Sequence, residues 1–184
     1  MNARPGLVFS HIGIYVSNLE RMEDFYTRLL DFTVTDRGHL ETPKGPVELV
    51  FLSRDPDEHH QIVLASGRPE SIGFNVINQI SLKADSLATL RTIHRRLQDE
   101  RTAGIMPVTH GNALSVYAPD PEGNRLEFYL DLPWYVSQPV RVPVELAQAD
   151  EPLMQMLEAH ARGLPGFMPR AQWRELMARR MGTA

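Results

Sequence analysis

With 184 residues the chain is long enough to bury a full core, which predicts one domain or two closely packed halves. Its net charge of −4 and pI near 6.0 argue against nucleic-acid binding, and no apolar run approaches the ~18 residues of a membrane span. The sequence has no cysteine, which excludes disulfides and thiolate zinc sites, and its first residues lack the apolar stretch of a signal peptide. A cytoplasmic protein without nucleic-acid or membrane partners is therefore expected.

The first 65 residues predict a βαβββ module. Val8–Val16 alternates polar and apolar residues and predicts a strand. Ser17 and Asn18 are good N-cap residues, and apolar residues follow at helical spacing from Leu19 to Leu30. Three further strands are predicted at residues 32–36, 47–53 and 61–65.

Residues 66–132 predict a linker and a second module of the same kind. The linker, residues 66–76, is rich in glycine and proline. The predicted elements are a strand at 78–84, a helix at about 86–100, and strands at 106–109, 113–118 and 125–130. Asp120-Pro-Glu-Gly-Asn124 is a strong hairpin signal between the last two strands.

An internal repeat relates the two modules. A shift of 68 residues aligns the run from His11 with the run from Gln79, and the register persists until Asp31 falls on Asp99. Such a repeat predicts a duplicated supersecondary unit. The predicted fold is therefore α+β, with two βαβββ modules paired around a cleft. His11 and Gln79 occupy equivalent first-strand positions, and Glu127 lies on the last strand, where a strand interior is usually apolar.

The segment 133–184 has no counterpart in the repeat and predicts a C-terminal helical extension. Three prolines mark an extended stretch, a helix is predicted from Asp150 to about Gly163, and an amphipathic helix at 171–181. Its apolar residues predict a layer that covers the sheet or a contact between subunits, which allows a homodimer.

Two features together resemble the vicinal oxygen chelate superfamily: the early strand that begins His-Ile-Gly-Ile, and the run Tyr117-Ala-Pro-Asp-Pro-Glu-Gly-Asn-Arg-Leu-Glu127. This superfamily includes glyoxalase I, fosfomycin and bleomycin resistance proteins, methylmalonyl-CoA epimerase and type I extradiol dioxygenases. The resemblance covers residues 8 to 131. Within the superfamily, the chain is most similar to the one-domain type I extradiol dioxygenases, because His60, His110 and Tyr117 fall near the acid–base residues of those enzymes.

The resemblance implies a divalent metal held by His11, Gln79 and Glu127. The fourth position that glyoxalase-like members fill falls at Ile62 or Val63, which cannot bind a metal. Extradiol enzymes carry histidine where this chain has Gln79, and two histidines with one carboxylate suit Fe(II). Fe(II) is therefore the favoured ion, with Mn(II) or Zn(II) as alternatives.

The resemblance also implies proton-transfer roles for His60 and His110, and a hydrogen bond from Tyr117 to a bound phenolate. Trp134 and Tyr135 follow the last strand closely enough to roof the cleft and stack on a small aromatic substrate, or to bury a dimer contact. Arg125 is a candidate anion anchor, predicted to point to the face opposite Glu127. The neighbour of His60, His59, is predicted to be solvated.

Three functional hypotheses remain open from the sequence. The first is a metal-dependent, extradiol dioxygenase-like enzyme that cleaves a catechol-type aromatic with O2. The second is a metal-free or metal-poor protein of the same fold that binds a small molecule. The third is a glyoxalase-type isomerase or lyase in which the ion acts as a Lewis acid. Each site residue also has a structural interpretation; a strand-end histidine, for example, often bonds only to the backbone.

Overall fold

The computed structural model describes residues 6–43 and 45–183. The first strand and helix are β1 (Ile12–Val16) and α1 (Leu19–Asp24), and α1 continues as a π-helical turn over Phe25–Leu29. The other elements up to the second helix are β2 (Thr33–Thr42), β3 (Gly45–Ser53), β4 (Ile62–Ser66), β5 (Ile80–Lys83) and α2 (Leu87–Asp99). They are followed by β6 (Met106–Thr109), β7 (Ala113–Pro119), β8 (Arg125–Asp131), β9 (Trp134–Tyr135), β10 (Val142–Pro143), α3 (Asp150–Arg162), β11 (Met168–Pro169) and α4 (Arg170–Met181).

These elements form two units. Unit 1 contains the chain up to Val76 together with Asp120–Gly123, and unit 2 contains Ile77–Pro119 and the chain from Asn124 onward. The short piece Asp120–Gly123 thus belongs to unit 1, although strands of unit 2 flank it in the sequence. The α+β class, the βαβββ order of each half and the C-terminal helices are confirmed. No helix in the described part of the chain is long and apolar enough to cross a membrane.

Unit 1 is built on a four-stranded sheet in the order β1-β4-β3-β2. β1 and β4 are parallel, and the other neighbours are antiparallel. β2 continues to Thr42, whereas the sequence predicted a strand that ends at Asp36. Its second half is almost entirely exposed, including Leu40, and has no buried face, so hydrophobic alternation could not reveal it. The core residues of this unit with the lowest exposure are Val16, Met22, Tyr26, Leu29, Leu30, Leu52 and Leu64.

The start of α1 is capped twice. Asn18 accepts a hydrogen bond from the backbone N–H of Arg21 at 2.9 Å, as expected of an N-cap residue. Glu122, in the piece Asp120–Gly123, accepts from the backbone N–H groups of Ser17 and Asn18 at 2.7 and 2.8 Å, and from Arg68 at 3.0 Å. A carboxylate at a helix N-terminus also interacts favourably with the helix dipole.

Unit 2 is built on a five-stranded sheet in the order β10-β6-β7-β8-β5. β5 and β8 are parallel, with Ile80 beside Leu126 and Ser81 beside Glu127. The N-cap of α2 is Ser86, which accepts from the N–H of Thr89 at 3.1 Å. The apolar face of α2 packs against the apolar face of the sheet. The core residues there include Leu90, Ile93, Leu97, Leu114, Val116, Leu126 and Phe128.

The C-terminal extension packs within unit 2. α3 buries Leu153, Leu157 and Ala161, so this half of the tail is folded onto the unit as its apolar residues predicted. β11 pairs with β9, and Trp173 of α4 stacks on Tyr135 with ring centroids 5.2 Å apart. α4 has no buried residue, so its packing is much lighter than that of α3.

Candidate functional site

The polar face of the unit 2 sheet is centred on Glu127. This residue lies in β8, between β5 and β7, and its register partners are Ser81 and Tyr117. Cross-strand partners project to the same face of a sheet, and so do residues two apart in one strand. Gln79, Ser81, Ser115 and Tyr117 therefore all face Glu127, which is only 8% exposed.

Four protein donors saturate the Glu127 carboxylate. Oε1 accepts from the hydroxyls of Ser115 at 2.9 Å and Tyr117 at 2.7 Å. Oε2 accepts from Nε2 of Gln79 at 2.7 Å and from the hydroxyl of Ser81 at 2.6 Å. Burial pushes the pKa of Glu127 upward, but these bonds and the contact with His110 outweigh it and hold the pKa at about 2. Glu127 is therefore ionised at neutral pH and is a poor proton acceptor.

His110 and Tyr117 form a pair beside this carboxylate. Nε2 of His110 lies 3.0 Å from the Tyr117 hydroxyl and 3.6 Å from Oε1 of Glu127. Its Nδ1 lies 2.6 Å from the carbonyl oxygen of Val140, which can only accept, so Nδ1 carries a proton. The bond to Glu127 raises the pKa of His110 against the effect of burial. Burial, followed by Glu127, raises the pKa of Tyr117 to about 12.

A tight turn fixes the position of His110. Gly111 has φ of +76°, and a Cβ at this position would lie 2.5 Å from Cγ2 of Val136. The indole N–H of Trp134 donates to the Gly111 carbonyl, and Gln138 donates to the carbonyl of His110 at 2.8 Å. The turn is therefore held from both sides, which restricts the orientation of the imidazole.

Two arginines lie on the face of the sheet that carries Glu127. The guanidinium carbons of Arg125 and Arg141 are 4.7 and 5.8 Å from the centroid of the Tyr117 ring. The predicted orientation of Arg125 is wrong, because residues two apart in a strand point to the same side and Arg125 is two residues before Glu127. Both arginines are within cation–π distance of the ring.

Unit 1 gathers three histidines at the N-terminal ends of β1 and β4. The rings of His11 and His60 are 4.3 Å apart, and Nδ1 of His60 is 2.8 Å from Nδ1 of His59. Burial, then the neighbouring charges of His11 and His59, lowers the pKa of His60. His59 is exposed, as predicted, and it also hydrogen-bonds to His60, because one of the two Nδ1 atoms must donate to the other.

The structure brings four of the sequence-predicted site residues together in unit 2: Gln79, His110, Tyr117 and Glu127. His11 and His60 lie side by side in unit 1. Trp134 is buried and bonded to the turn at Gly111, and Tyr135 stacks on Trp173, so each already has a structural partner. Their role in substrate binding, like the other assigned roles, stays a prediction.

Sequence reasoning missed two hydroxyl donors. Ser81 is two residues after Gln79, and Ser115 is two residues before Tyr117. Strand periodicity alone would therefore have placed both serines on the face of the sheet that carries Glu127. Arg141 gave no such signal, because it follows the last long strand and reaches Tyr117 through an irregular segment.

The predicted metal ligands match a divalent ion in type. A ligand must be deprotonated, as Glu127 is, and the Gln79 and Glu127 side chains approach within 2.7 Å. An ion on Glu127 would take lone pairs that now accept from Gln79 or Ser81, so these bonds would have to rearrange. Within residues 6–43 and 45–183, no group of three or more His, Asp or Glu could hold a metal ion. The predicted set has only two residues of those types.

Comparison with known proteins gives consistent results. Residues 8–128 match the family described as Glyoxalase/Bleomycin resistance protein/Dioxygenase superfamily. Biphenyl-2,3-diol 1,2-dioxygenase 2 of Rhodococcus globerulus is 29% identical over 135 residues, which cover 71% of this chain and 65% of that protein. The chain thus matches slightly less than two thirds of this relative's length.

Solved structures share the fold. A glyoxylase/bleomycin resistance protein/dioxygenase domain from Frankia sp. EAN1pec has a TM-score of 0.58 at 21% identity, covering 71% of this chain and all of that one. The fosfomycin resistance protein FosX from Mesorhizobium loti has a TM-score of 0.50 at 19% identity, covering 69% of this chain and 92% of that one. The resemblance inferred from the sequence is confirmed, and the chain belongs to the glyoxalase/bleomycin resistance protein/dioxygenase superfamily.

Proposed function

We propose that the protein is an extradiol dioxygenase-like oxidoreductase that cleaves a catechol-type aromatic with O2. The observation that carries this proposal is the contiguous set of Glu127, Tyr117 and His110, whose polar atoms are joined by contacts of 2.7 and 3.0 Å. A catechol has two hydroxyl protons that must be moved during cleavage, and His110 and Tyr117 can exchange protons with it while the ionised Glu127 orients the Tyr117 hydroxyl. The similarity to a biphenyl-diol dioxygenase supports the same substrate class.

The two histidines have pKa values shifted in opposite directions, which suits them to opposite roles. His60, with a lowered pKa, is neutral near pH 7 and fits a general base. His110, with a raised pKa, retains its proton nearer neutrality and fits a general acid. The Tyr117 hydroxyl lies between His110 and Glu127, and its high pKa keeps it protonated. Its one O–H donates to Glu127, so it can exchange a proton with the neighbouring His110 without becoming ionised itself.

In this proposal the ligands of a divalent ion, Fe(II) by preference, are Gln79, Glu127 and His11, the set that the resemblance implies. When bound, the ion supplies the redox chemistry that lets a catechol react with O2. Mn(II) or Zn(II) would suit the same oxygen and nitrogen donors. Glu127 contributes the only negative charge of the set, while the hydroxyls of Ser81 and Ser115 orient its carboxylate.

The test is to load purified protein with Fe(II) without oxygen, add catechol and then O2, and record O2 uptake and ring-cleavage absorbance. Tyr117→Phe and His110→Gln are each expected to lower kcat by about 100-fold, the lower range for acid–base groups. The exposed residues Tyr15 and His39 provide matched controls, since Tyr15→Phe and His39→Gln should leave kcat unchanged. Absence of both O2 uptake and ring cleavage in the loaded wild-type protein would refute the dioxygenase function.

A second function, metal-free binding of a small aromatic, is favoured by the saturation of Glu127. All four lone-pair positions of its carboxylate already accept from protein donors. For this function, catechol would bind equally well with and without a chelator. The Lewis-acid alternative would instead give metal-dependent turnover without O2 uptake.

The variant Gln79→His separates these cases by metal affinity. Imidazole is a better donor for Fe(II) than an amide oxygen, so the variant should bind Fe(II) more tightly, and Glu127→Ala should abolish binding in either background. Both are measured by calorimetric titration with Fe(II). If neither change alters iron uptake, Glu127 and Gln79 do not hold a metal and the binding function replaces the enzymatic one.

A further inference from the structure

We propose that Arg125 and Arg141 bind a carboxylate substituent on the aromatic substrate, so that the preferred substrate is an anionic catechol. This inference rests on the proposed function, because it concerns selectivity at the same site. It starts from the two guanidinium groups that lie 4.7 and 5.8 Å from the centroid of the Tyr117 ring.

The two arginines come from different parts of unit 2 and meet at one side chain. Arg125 opens β8, two residues before Glu127, and is half-buried. Arg141 directly precedes β10, is exposed, and contacts Sδ of Met106 at 2.9 Å. Their convergence on the tyrosine that bonds Glu127 places both charges beside the proposed acid–base residues.

Neither arginine has a carboxylate partner among the described residues. Within residues 6–43 and 45–183, no carboxylate forms an ion pair with Arg125 or Arg141, whereas other arginines, such as Arg68 and Arg170, each have a carboxylate partner. The nearby Glu127 carboxylate is already engaged by four other donors. Two permanent positive charges therefore lie, without a direct carboxylate partner among the described residues, on the face of the sheet that carries Glu127.

The contact with Tyr117 leaves the arginine donors available. A cation–π contact uses the charge of the guanidinium group, which still has five N–H donors, and one N–H of Arg141 is directed at Sδ of Met106. These N–H groups match a carboxylate in a bidentate arrangement. The catechol hydroxyls would lie toward Tyr117 and His110 while the carboxylate lies toward Arg125 and Arg141.

The experiment compares the binding of 3,4-dihydroxybenzoate and catechol to the full chain by calorimetry. Wild-type protein is expected to bind the dihydroxybenzoate at least ten-fold more tightly, because a charge-assisted hydrogen bond commonly adds a factor of that order. Arg125→Gln and Arg141→Gln should each reduce this preference by about ten-fold. Arg174→Gln, an exposed position on α4, is the matched control and should leave the preference intact.

A second variant distinguishes carboxylate binding by Arg125 from a purely structural role of this residue. Arg125→Lys keeps the positive charge but loses the planar fork, so its preference for the dihydroxybenzoate should fall between those of the wild type and Arg125→Gln. If the glutamine variants lower the melting temperature but keep the wild-type preference, the arginines only support Tyr117 and the inference is refuted.

The outcomes also distinguish this inference from the proposed function. Equal affinity of wild-type protein for the two compounds overturns the carboxylate site and leaves the dioxygenase function standing. A clear preference for the dihydroxybenzoate without O2-dependent cleavage of either compound supports the carboxylate site and overturns the dioxygenase function. Failure of both compounds to bind overturns both.

Discussion

Replacing Glu122 by alanine should strongly destabilise unit 1. The Glu122 side chain is 7% exposed and accepts four hydrogen bonds, from two backbone N–H groups, the Ser17 hydroxyl and Arg68. Its ion-pair partner Arg68 is 15% exposed, and removing one member of a buried pair typically costs about 3–5 kcal/mol. The expected loss for Glu122→Ala is therefore about 3–5 kcal/mol in the free energy of unfolding. Glu122→Gln, which keeps an acceptor but loses the charge, should lose about 1–2 kcal/mol.

Urea denaturation followed by far-UV circular dichroism measures these losses. The control is Glu175→Ala on α4, where the carboxylate is 72% exposed and lies 3.8 Å from Arg179. An exposed pair of this kind contributes at most about 0.5 kcal/mol, so the control should be nearly neutral. A loss below about 1 kcal/mol for Glu122→Ala would show that solvent replaces its contacts at little cost, and the capping argument would be wrong.

Three further results are expected. Burial opposes ionisation of Glu122, but the hydrogen bonds to its carboxylate hold the pKa of Glu122 below the usual value. The stabilisation that the ionised Glu122 provides is therefore complete above about pH 4.3 and is lost as the pH falls through its folded-state pKa. Acid titration should consequently destabilise the wild-type protein more than Glu122→Gln. Gly111→Ala should lower the melting temperature more than Gly104→Ala, because both positions have positive φ but only the first places a Cβ against Val136. Equal decreases in melting temperature would mean that Val136 moves away from the new Cβ at little cost. Trp134→Phe removes the donor to the Gly111 carbonyl and should cost about 1–3 kcal/mol in thermal unfolding, whereas a neutral result would mean that water replaces the indole.

The sequence predicted those parts of the fold that depend on local chemistry. Asn18 and Ser86 cap α1 and α2 as expected, and the hairpin signal falls between β7 and β8. The π-helical turn Phe25–Leu29 and the pairing of β9 with β11 were missed. Neither has a local signature in the sequence, and the partner strand of β9 lies far along the chain in β11.

In the candidate site, too, the sequence predicted some residues and missed contacts that depend on strand register. The repeat and the resemblance predicted Gln79 and Glu127, which meet at 2.7 Å in unit 2. Neither could predict that four donors would saturate Glu127, since that depends on the registers of β5 and β7 against β8. Arg141 could not be placed either, because an irregular segment carries it back to Tyr117.

The distribution of tryptophan gives the protein a built-in optical probe. Its two tryptophans, Trp134 and Trp173, both belong to unit 2, one buried under the turn at Gly111 and the other stacked on Tyr135. Tryptophan emission therefore reports only on unit 2, because unit 1 contains no tryptophan. Emission recorded beside circular dichroism in one titration will show whether the units lose their structure in one cooperative step or in two.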